Sequence, residues 1–300
     1  MEIKNELLRK VLAIPFGWNI ASPKLLGNTT ESNEVSSKST LTVMDEGLSQ
    51  RAGKRLVAEE INKQKNIEDV VRQADDILQA DHETAISSEE TDQGWIDECL
   101  DGAGRAYNDD LKAYWAKLLA GEIKQPGTYS LRTVDLLKKL TKKDAEKIRN
   151  LCRYVMYNIN KSDCFILRDK EASYTYSDMS FLMELGLLNS SSFVVKQYRN
   201  KDENGTTGLF FHGNVVFFLS IKKKDFDLPI YSFTGLGMEL LSIVDDQDVD
   251  VNYLRDFARN ICNKHKDIEI SGGHYVVEGD TISIKKDESG FAFPEIAQEG

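Results

Sequence analysis

The residue types that most often carry out catalysis or bind metals are sparse and scattered in this 300-residue sequence. No histidine lies in an H-E-x-x-H or H-x-E context, and no G-x-S-x-G motif offers a serine nucleophile. No cysteines form a C-x-x-C pair, and none has a nearby histidine to complete a zinc site. The histidines are His82, His212, His265 and His274, and the cysteines are Cys99, Cys152, Cys164 and Cys262. We therefore expect buried free thiols, no metal site and no enzyme, although distant residues could still converge in the fold.

A glycine-containing segment, GLGMEL at residues 235–240, is another candidate for binding a small molecule. It follows a predicted strand and begins a predicted helix, as the phosphate-binding loop of a dinucleotide fold does. Leu240 stands where that loop needs its third glycine, and the surrounding pattern is not βαβ. A helix that starts after Thr234 accounts for the segment, so no cofactor is expected.

Residues 114–137, YWAKLLAGEIKQPGTYSLRTVDLL, predict a helix end, a turn and a helix start, which we call the corner. Gly121 and Gly127 give the backbone the freedom to turn, and Pro126 fixes the turn. Ser130 is expected to cap the helix that follows.

Aromatic and charged residues flank the corner. Trp115 and Tyr129 are expected to pack over it. Glu122 and Arg132 bracket it with opposite charges, which predicts a half-buried ion pair between the two helices. Alternatively, Glu122, Ser130 and Arg132 line a small polar site. No histidine or second carboxylate lies nearby in sequence, so acid–base catalysis there has little support.

The corner, together with residues 63–78, resembles an uncharacterised bacterial family, domain of unknown function 2806. The family's recurring pattern is W-(A/G)-x-(I/L)-LAGE-x-x-x-PG-(S/T)-(F/Y)-S-x-R-T, and the resemblance extends over roughly residues 57–245. The matching residues are Trp115, Leu119, Ala120, Gly121, Glu122, Pro126, Gly127, Tyr129, Ser130, Arg132 and Thr133. The resemblance implies a cytoplasmic bacterial protein from mobile or defence-related gene neighbourhoods, and it implies no particular reaction.

The net charge of −11 is concentrated in one block of the chain. Residues 66–110 contain fourteen Asp and Glu against two basic residues, Arg72 and Arg105, so the rest of the chain is nearly neutral. This block repels a phosphate backbone, and nucleic acid would have to bind elsewhere. It is either a solvated surface or a docking site for a basic partner.

The N-terminal segment is predicted to be separate from the rest of the chain. Residues 1–27 contain a basic amphipathic helix, in which residues 3–20 would lie on a membrane surface or dock on the protein's own core. Residues 28–47 are rich in Ser, Thr and Asn and predict a flexible linker. No secretory signal and no apolar window long enough to span a membrane is found, so a cytoplasmic location is expected.

Residues 48–160 predict a helical domain. Thr141 and Asp144 match a capping box at the start of its last helix. Helices are expected over residues 48–79, from Trp95 to about Gly102, from Asn108, from Ser130 to Leu140 and from Thr141 to about Asn158.

Residues 161–300 predict a winged-helix-like α+β domain with a C-terminal hairpin, so the whole chain is assigned to the α+β class. Asn204-Gly205 predicts a hairpin turn that joins two strands into a wing over residues 193–211. Strands are expected at 164–167, 193–199, 207–211, 215–221, 228–233, 274–277 and 281–285, and helices at 178–185, 235–244 and 249–265.

A winged helix would read DNA with the helix at residues 178–185, but this helix contains no Arg, Lys, Asn or Gln to contact base edges. A basic group could still contact phosphates, although lysines at strand ends also protect sheet edges. This group comprises Lys196, Arg199, Lys201, Lys222, Lys223 and Lys224.

We therefore expect a non-enzymatic protein that acts through protein contacts, as a regulator or as part of a bacterial defence assembly. A nucleic-acid-binding regulator is the second hypothesis, and a membrane-surface effector anchored by residues 3–20 is the third.

Overall fold

The computed structural model describes residues 46–81, 87–168, 174–191, 194–199, 206–222, 225–244, 249–278, 281–285 and 287–294. The chain divides into two compact units, of which the first ends at Lys139 and the second begins at Leu140. The predicted N-terminal helix and residues 28–45 of the predicted linker lie outside the described residues. In the part of the chain that is described, no helix is long and apolar enough to cross a membrane.

The described part of the first unit is helical, as the sequence predicts. Asn108 caps α3, where its Oδ1 accepts a hydrogen bond from the backbone N of Leu111 at 2.8 Å. Asp92 caps α2 in the same way, with Trp95 N as the donor at 2.8 Å. The helices are α1 (Glu46–Ala80), α2 (Gln93–Gly104), α3 (Asp109–Lys124) and α4 (Leu131–Lys139).

The second half of α1 packs into the core of this unit, against α2 and α3. Val70, Ala74 and Leu78 recur every four residues and are at most 2% exposed, so they form one buried face of the helix. The first half of α1 has no such face, and its apolar side chains, Leu56 and Val57 among them, are more than half exposed.

The second unit is mixed α+β, which confirms the coarse prediction for this half of the chain. Its helices are α5 (Lys142–Cys152), α6 (Tyr176–Glu184), α7 (Gly235–Val244) and α8 (Val251–Lys264). Its strands are β1 (Val155–Asn158), β2 (Cys164–Leu167), β3 (Val195–Tyr198), β4 (Thr206–His212), β5 (Val215–Ile221), β6 (Phe226–Ser232), β7 (Ile268–Glu278), β8 (Thr281–Ile284) and β9 (Phe291–Phe293).

Helix α5 begins as predicted but ends earlier. The Thr141–Asp144 capping box is present, with Thr141 N donating to the Asp144 carboxylate at 3.1 Å. The predicted continuation of the helix to about Asn158 is wrong, because β1 starts at Val155 and pairs with β2. Val155 is 1% exposed, and pairing of β1 with the neighbouring β2 and with β4, which lies far along the chain, outweighs the helical pattern of the preceding residues.

The strands of the second unit form one antiparallel sheet. Its order is β3-β6-β2-β1-β4-β5-β7-β8, and β9 pairs with β7. Strand β5 pairs along its length with β4 on one side and with β7 on the other. Phe217 on β5 is fully buried, so the register of these strands is fixed by the apolar face that the sheet buries.

The predicted wing over residues 193–211 is wrong. Strand β3 pairs with β6, with Val195 opposite Pro229, whereas β4 pairs with β1 and β5. Asn204 and Gly205 lie outside the described residues. The two strands therefore belong to different parts of the sheet, because distant strands supply the partners that a local hairpin was expected to supply.

Two further local predictions are confirmed. The C-terminal hairpin is confirmed, with Glu278 on β7 opposite Thr281 on β8. Helix α6 is confirmed and is capped by Thr175, whose Oγ1 accepts the amide of Asp178 at 3.2 Å. Gly186 follows this helix with φ +73°, a conformation that favours glycine.

Candidate functional site

The four cysteines and His212 are buried. None of the cysteines forms a disulfide bond. Burial raises the pKa of Cys99 above its ordinary value and raises the pKa of Cys262 to about 11, so both are thiols rather than thiolates at neutral pH. His212 Nδ1 lies 2.7 Å from the backbone oxygen of Val155, which ties this ring to β1. His82 lies outside the described residues, and the described residues hold no cluster that could bind a metal ion.

The corner is built around the buried carboxylate of Glu122, which is 3% exposed. Its Oε1 accepts a hydrogen bond from Gly127 N at 2.7 Å, and its Oε2 accepts one from Tyr129 N at 2.9 Å. Arg132 is exposed, and no ion pair joins it to Glu122 among the described residues. The predicted ion pair is therefore wrong: the turn's own amides compensate the carboxylate.

Close packing fixes the rest of the corner. A Cβ atom on Gly121 would lie 2.7 Å from Cε2 of Tyr129, and Gly127 has φ +83°, so both positions require glycine. Trp115 is 1% exposed. Pro126 lies within the turn, and Ser130 directly precedes α4 and accepts the amide of Thr133 on its carbonyl at 3.0 Å. These contacts favour a structural role for the corner over a polar site.

A cavity of about 1,080 Å³ in the second unit is the stronger candidate for a binding site. It is bounded by β6, by the C-terminal end of α8 and by the start of β7, and we call it the basic cleft. Its apolar lining comprises Phe226, Pro229, Ile261 and Ile268. Its polar lining comprises Arg199, Lys222, Lys264, His265 and Lys266, with the carboxylates of Asp225, Asp227 and Asp267.

Two of the cations in the basic cleft are already paired. Arg199 Nη1 lies 2.6 Å from Asp227 Oδ1, and this hydrogen bond raises the pKa of the Arg199 guanidinium above its ordinary value. Lys222 pairs with Glu269. Lys264 and Lys266 are exposed and form no ion pair with a described residue, and the lining as a whole holds four Lys and Arg side chains against three Asp.

The structure brings together only part of the predicted basic group. Arg199 and Lys222 line the basic cleft. Lys196 lies elsewhere: its Nζ is 2.6 Å from Asp163 Oδ2 and 5.2 Å from the centre of the Phe165 ring. Lys201, Lys223 and Lys224 lie outside the described residues.

The corner also carries the sequence pattern that identifies the chain. The family model described as "Protein of unknown function (DUF2806)" matches residues 50–258. The chain belongs to this family. No curated protein and no solved structure matched it.

In this DUF2806 protein, the family match ends at residue 258, before two of the residues that matter most for the basic cleft. Lys264 and Lys266 follow each other closely in the segment CNKHKD at the end of α8. That basic cluster is visible in the sequence. Its proximity to Arg199, which lies far away in the chain, is not visible there.

Proposed function

We propose that this DUF2806 protein is a non-enzymatic binding protein whose basic cleft accepts an acidic segment of a partner protein. The observation that carries the proposal is the pair Lys264 and Lys266, which are exposed in the cleft without an ion-pair partner among the described residues. An acidic segment would supply the missing carboxylates. Complementary charge of this kind favours encounter and selects the partner.

The apolar residues of the cleft support a peptide rather than a simple anion as the ligand. Pro229 and Ile261, which are partly exposed, line the cavity together with the charged side chains. Protein interfaces combine an apolar centre with a polar rim, and this cleft has both. A segment in which acidic and apolar residues alternate would therefore use the whole lining.

The same lining disfavours nucleic acid. A phosphate backbone carries a charge at every nucleotide, so Asp225, Asp227 and Asp267 would repel it more than a short segment in which apolar residues separate the carboxylates. Phe226 is only 8% exposed, so it offers no open face on which a base could stack.

A nucleic-acid-binding regulator is our second proposal, supported by the exposed Lys264 and Lys266 in the basic cleft. Helix α6, the predicted reading helix, would offer it few groups to contact bases. Met179 and Leu182 are buried, and Asp178 is held by the Thr175 cap and by Lys147. Such a regulator would contact phosphates rather than bases.

A place in a cytoplasmic bacterial defence assembly is a proposal that rests on the family resemblance alone. The third hypothesis, a membrane-surface effector, depends on residues 3–20, which lie outside the described residues. It stays a prediction.

Fluorescence polarisation with three labelled probes would test the proposal. The probes are a peptide of alternating Glu and Leu, the same peptide with Lys for Glu, and a short DNA duplex. The variants are the double substitution Lys264→Glu/Lys266→Glu and, as the matched control, Lys285→Glu, an exposed lysine outside the cleft.

We expect the wild-type protein to bind the acidic peptide, the double variant to bind it about tenfold more weakly or worse, and the control to match the wild type. Absence of binding to the acidic peptide would refute the proposal. Tighter binding of the duplex, lost in the double variant, would favour the nucleic-acid alternative.

A further inference from the structure

A second cavity in the second unit, of about 700 Å³, lies between α5 and the beginning of α6. We call it the Arg153 pocket. Its walls include Lys143, Lys147, Arg153, Tyr154, Tyr174 and Asp178. None of these residues lines the basic cleft, so the pocket is independent of the proposed function.

One hydrogen-bond donor of Arg153 lacks an acceptor. Its Nε is buried and has no hydrogen-bond partner among the described residues. A buried donor without an acceptor is costly, and most such groups in proteins are satisfied by protein, water or ligand. The backbone of Arg153 is fixed, because it caps α5 and its carbonyl oxygen accepts the amide of Asp250 at 2.9 Å. Arg153 therefore belongs to a well-fixed part of the pocket wall, and its Nε lacks an acceptor among the described residues.

The charges around Arg153 do not cancel its own. Lys147 and Asp178 pair with each other, at 3.0 Å between Nζ and Oδ1. Glu146, which also lines the pocket, pairs with Lys142 at 3.7 Å. Lys143 is exposed, and neither it nor Arg153 forms an ion pair with a described residue. Two positive charges thus remain in the pocket.

Two rigid aromatic side chains complete the walls. Tyr154 and Tyr174 are 7% and 8% exposed and meet edge to face, with ring centres 5.4 Å apart. The Tyr174 hydroxyl donates to the backbone oxygen of Leu167 at 2.6 Å, so this ring is held in place. The beginning of the nine-residue helix α6 lies beside them, and the positive end of its dipole faces the same region as Asp178.

We propose that the Arg153 pocket binds the phosphate group of a small phosphate monoester. The planar guanidinium matches phosphate oxygens, the Lys143 ammonium neutralises the second charge, and the buried Nε gains the acceptor that it lacks. The volume is in the range of small-molecule sites, which leaves room for the rest of the ester beside the tyrosines.

Isothermal titration calorimetry on the full chain, with inorganic phosphate, phosphoserine, AMP and succinate as probes, tests the proposal. The variants are Arg153→Met and Lys143→Met. The matched control is Lys285→Met, an exposed lysine outside the pocket lining. Binding of inorganic phosphate, phosphoserine or AMP would support a phosphate site in the pocket. Tighter binding of phosphoserine than of AMP would indicate a phosphorylated amino acid as the ligand, and the reverse order would indicate a nucleotide.

We expect Arg153→Met to weaken phosphate binding about tenfold or more, Lys143→Met to weaken it severalfold, and Lys285→Met to leave it unchanged. If Arg153→Met fails to fold, the test depends on Lys143→Met, because Lys143 is exposed. Unchanged affinity for phosphate in Lys143→Met would then overturn the proposal. No binding to the wild type, or equal binding of succinate and phosphate, also overturns it. So does binding that survives in Arg153→Met and is lost in Lys264→Glu/Lys266→Glu.

Discussion

Gly102 on α2 lies directly against the indole ring of Trp115 on α3: a Cβ atom on Gly102 would be 2.3 Å from Cη2 of the ring. Trp115 is 1% exposed and cannot move aside without disturbing the core of the first unit. The absent side chain at position 102 is therefore what allows α2 and α3 to approach.

Gly102→Ala should destabilise the first unit by about 1–3 kcal/mol through overpacking, measured by guanidinium unfolding. Gly53→Ala is the matched control, because Gly53 is also helical but a Cβ atom there would have no described neighbour within 4 Å, so alanine should be neutral or slightly stabilising. In a Trp115→Phe background the penalty at position 102 should shrink, since the smaller ring leaves space. Equal effects at positions 53 and 102 would contradict this account.

Glu122→Gln should destabilise the first unit by about 1–3 kcal/mol, because Gly127 and Tyr129 donate to different carboxylate oxygens and the NH2 group that replaces one of them cannot accept. Arg132→Ala should change the free energy of unfolding by less than about 0.5 kcal/mol, since Arg132 is exposed. Denaturant unfolding of both variants measures the contrast. A large loss of unfolding free energy in Arg132→Ala would instead support the ion pair between Glu122 and Arg132 that the sequence predicts.

Lys112 should control the titration of Asp69. Lys112 Nζ lies 2.9 Å from Asp69 Oδ2, and this hydrogen bond lowers the pKa of Asp69 below its ordinary value of 3.8. The ionised pair stabilises the fold above the unfolded-state pKa, and that contribution is lost as the pH falls through the lowered folded-state pKa. In Lys112→Met, NMR titration should show the pKa of Asp69 moving upward, whereas Lys117→Met on the same helix should leave it in place. An unmoved Asp69 in Lys112→Met would count against the pair.

The four cysteines should react slowly with a thiol reagent in the folded protein. All four are buried, and the pKa of Cys262 is raised to about 11, so little thiolate is present at neutral pH. Ellman's reagent should label all four rapidly in guanidinium and far more slowly in buffer. A thiol that labels at the same rate under both conditions would show that its site is open.

Local signals in the sequence were sufficient for many elements of the fold. The Asn108 cap and the Thr141–Asp144 capping box depend on neighbouring residues, so the starts of α3 and α5 were predictable. The same holds for the hairpin of β7 and β8. The end of α5 was not predictable, because β1 forms only through pairing with β2 and β4.

For the candidate sites, too, some features follow from local sequence and others depend on the fold. The sequence by itself determined the family, the turn at the corner and the basic character of Arg199, Lys222 and the end of α8, because these depend on residue type and short spacing. Only the tertiary structure decided that the turn's amides, and not Arg132, compensate Glu122. It also brought Arg199 beside Lys264 and left the buried Nε of Arg153 without an acceptor among the described residues. Burial and the pairing of distant strands set these contacts, and neither is encoded in the spacing of nearby residues.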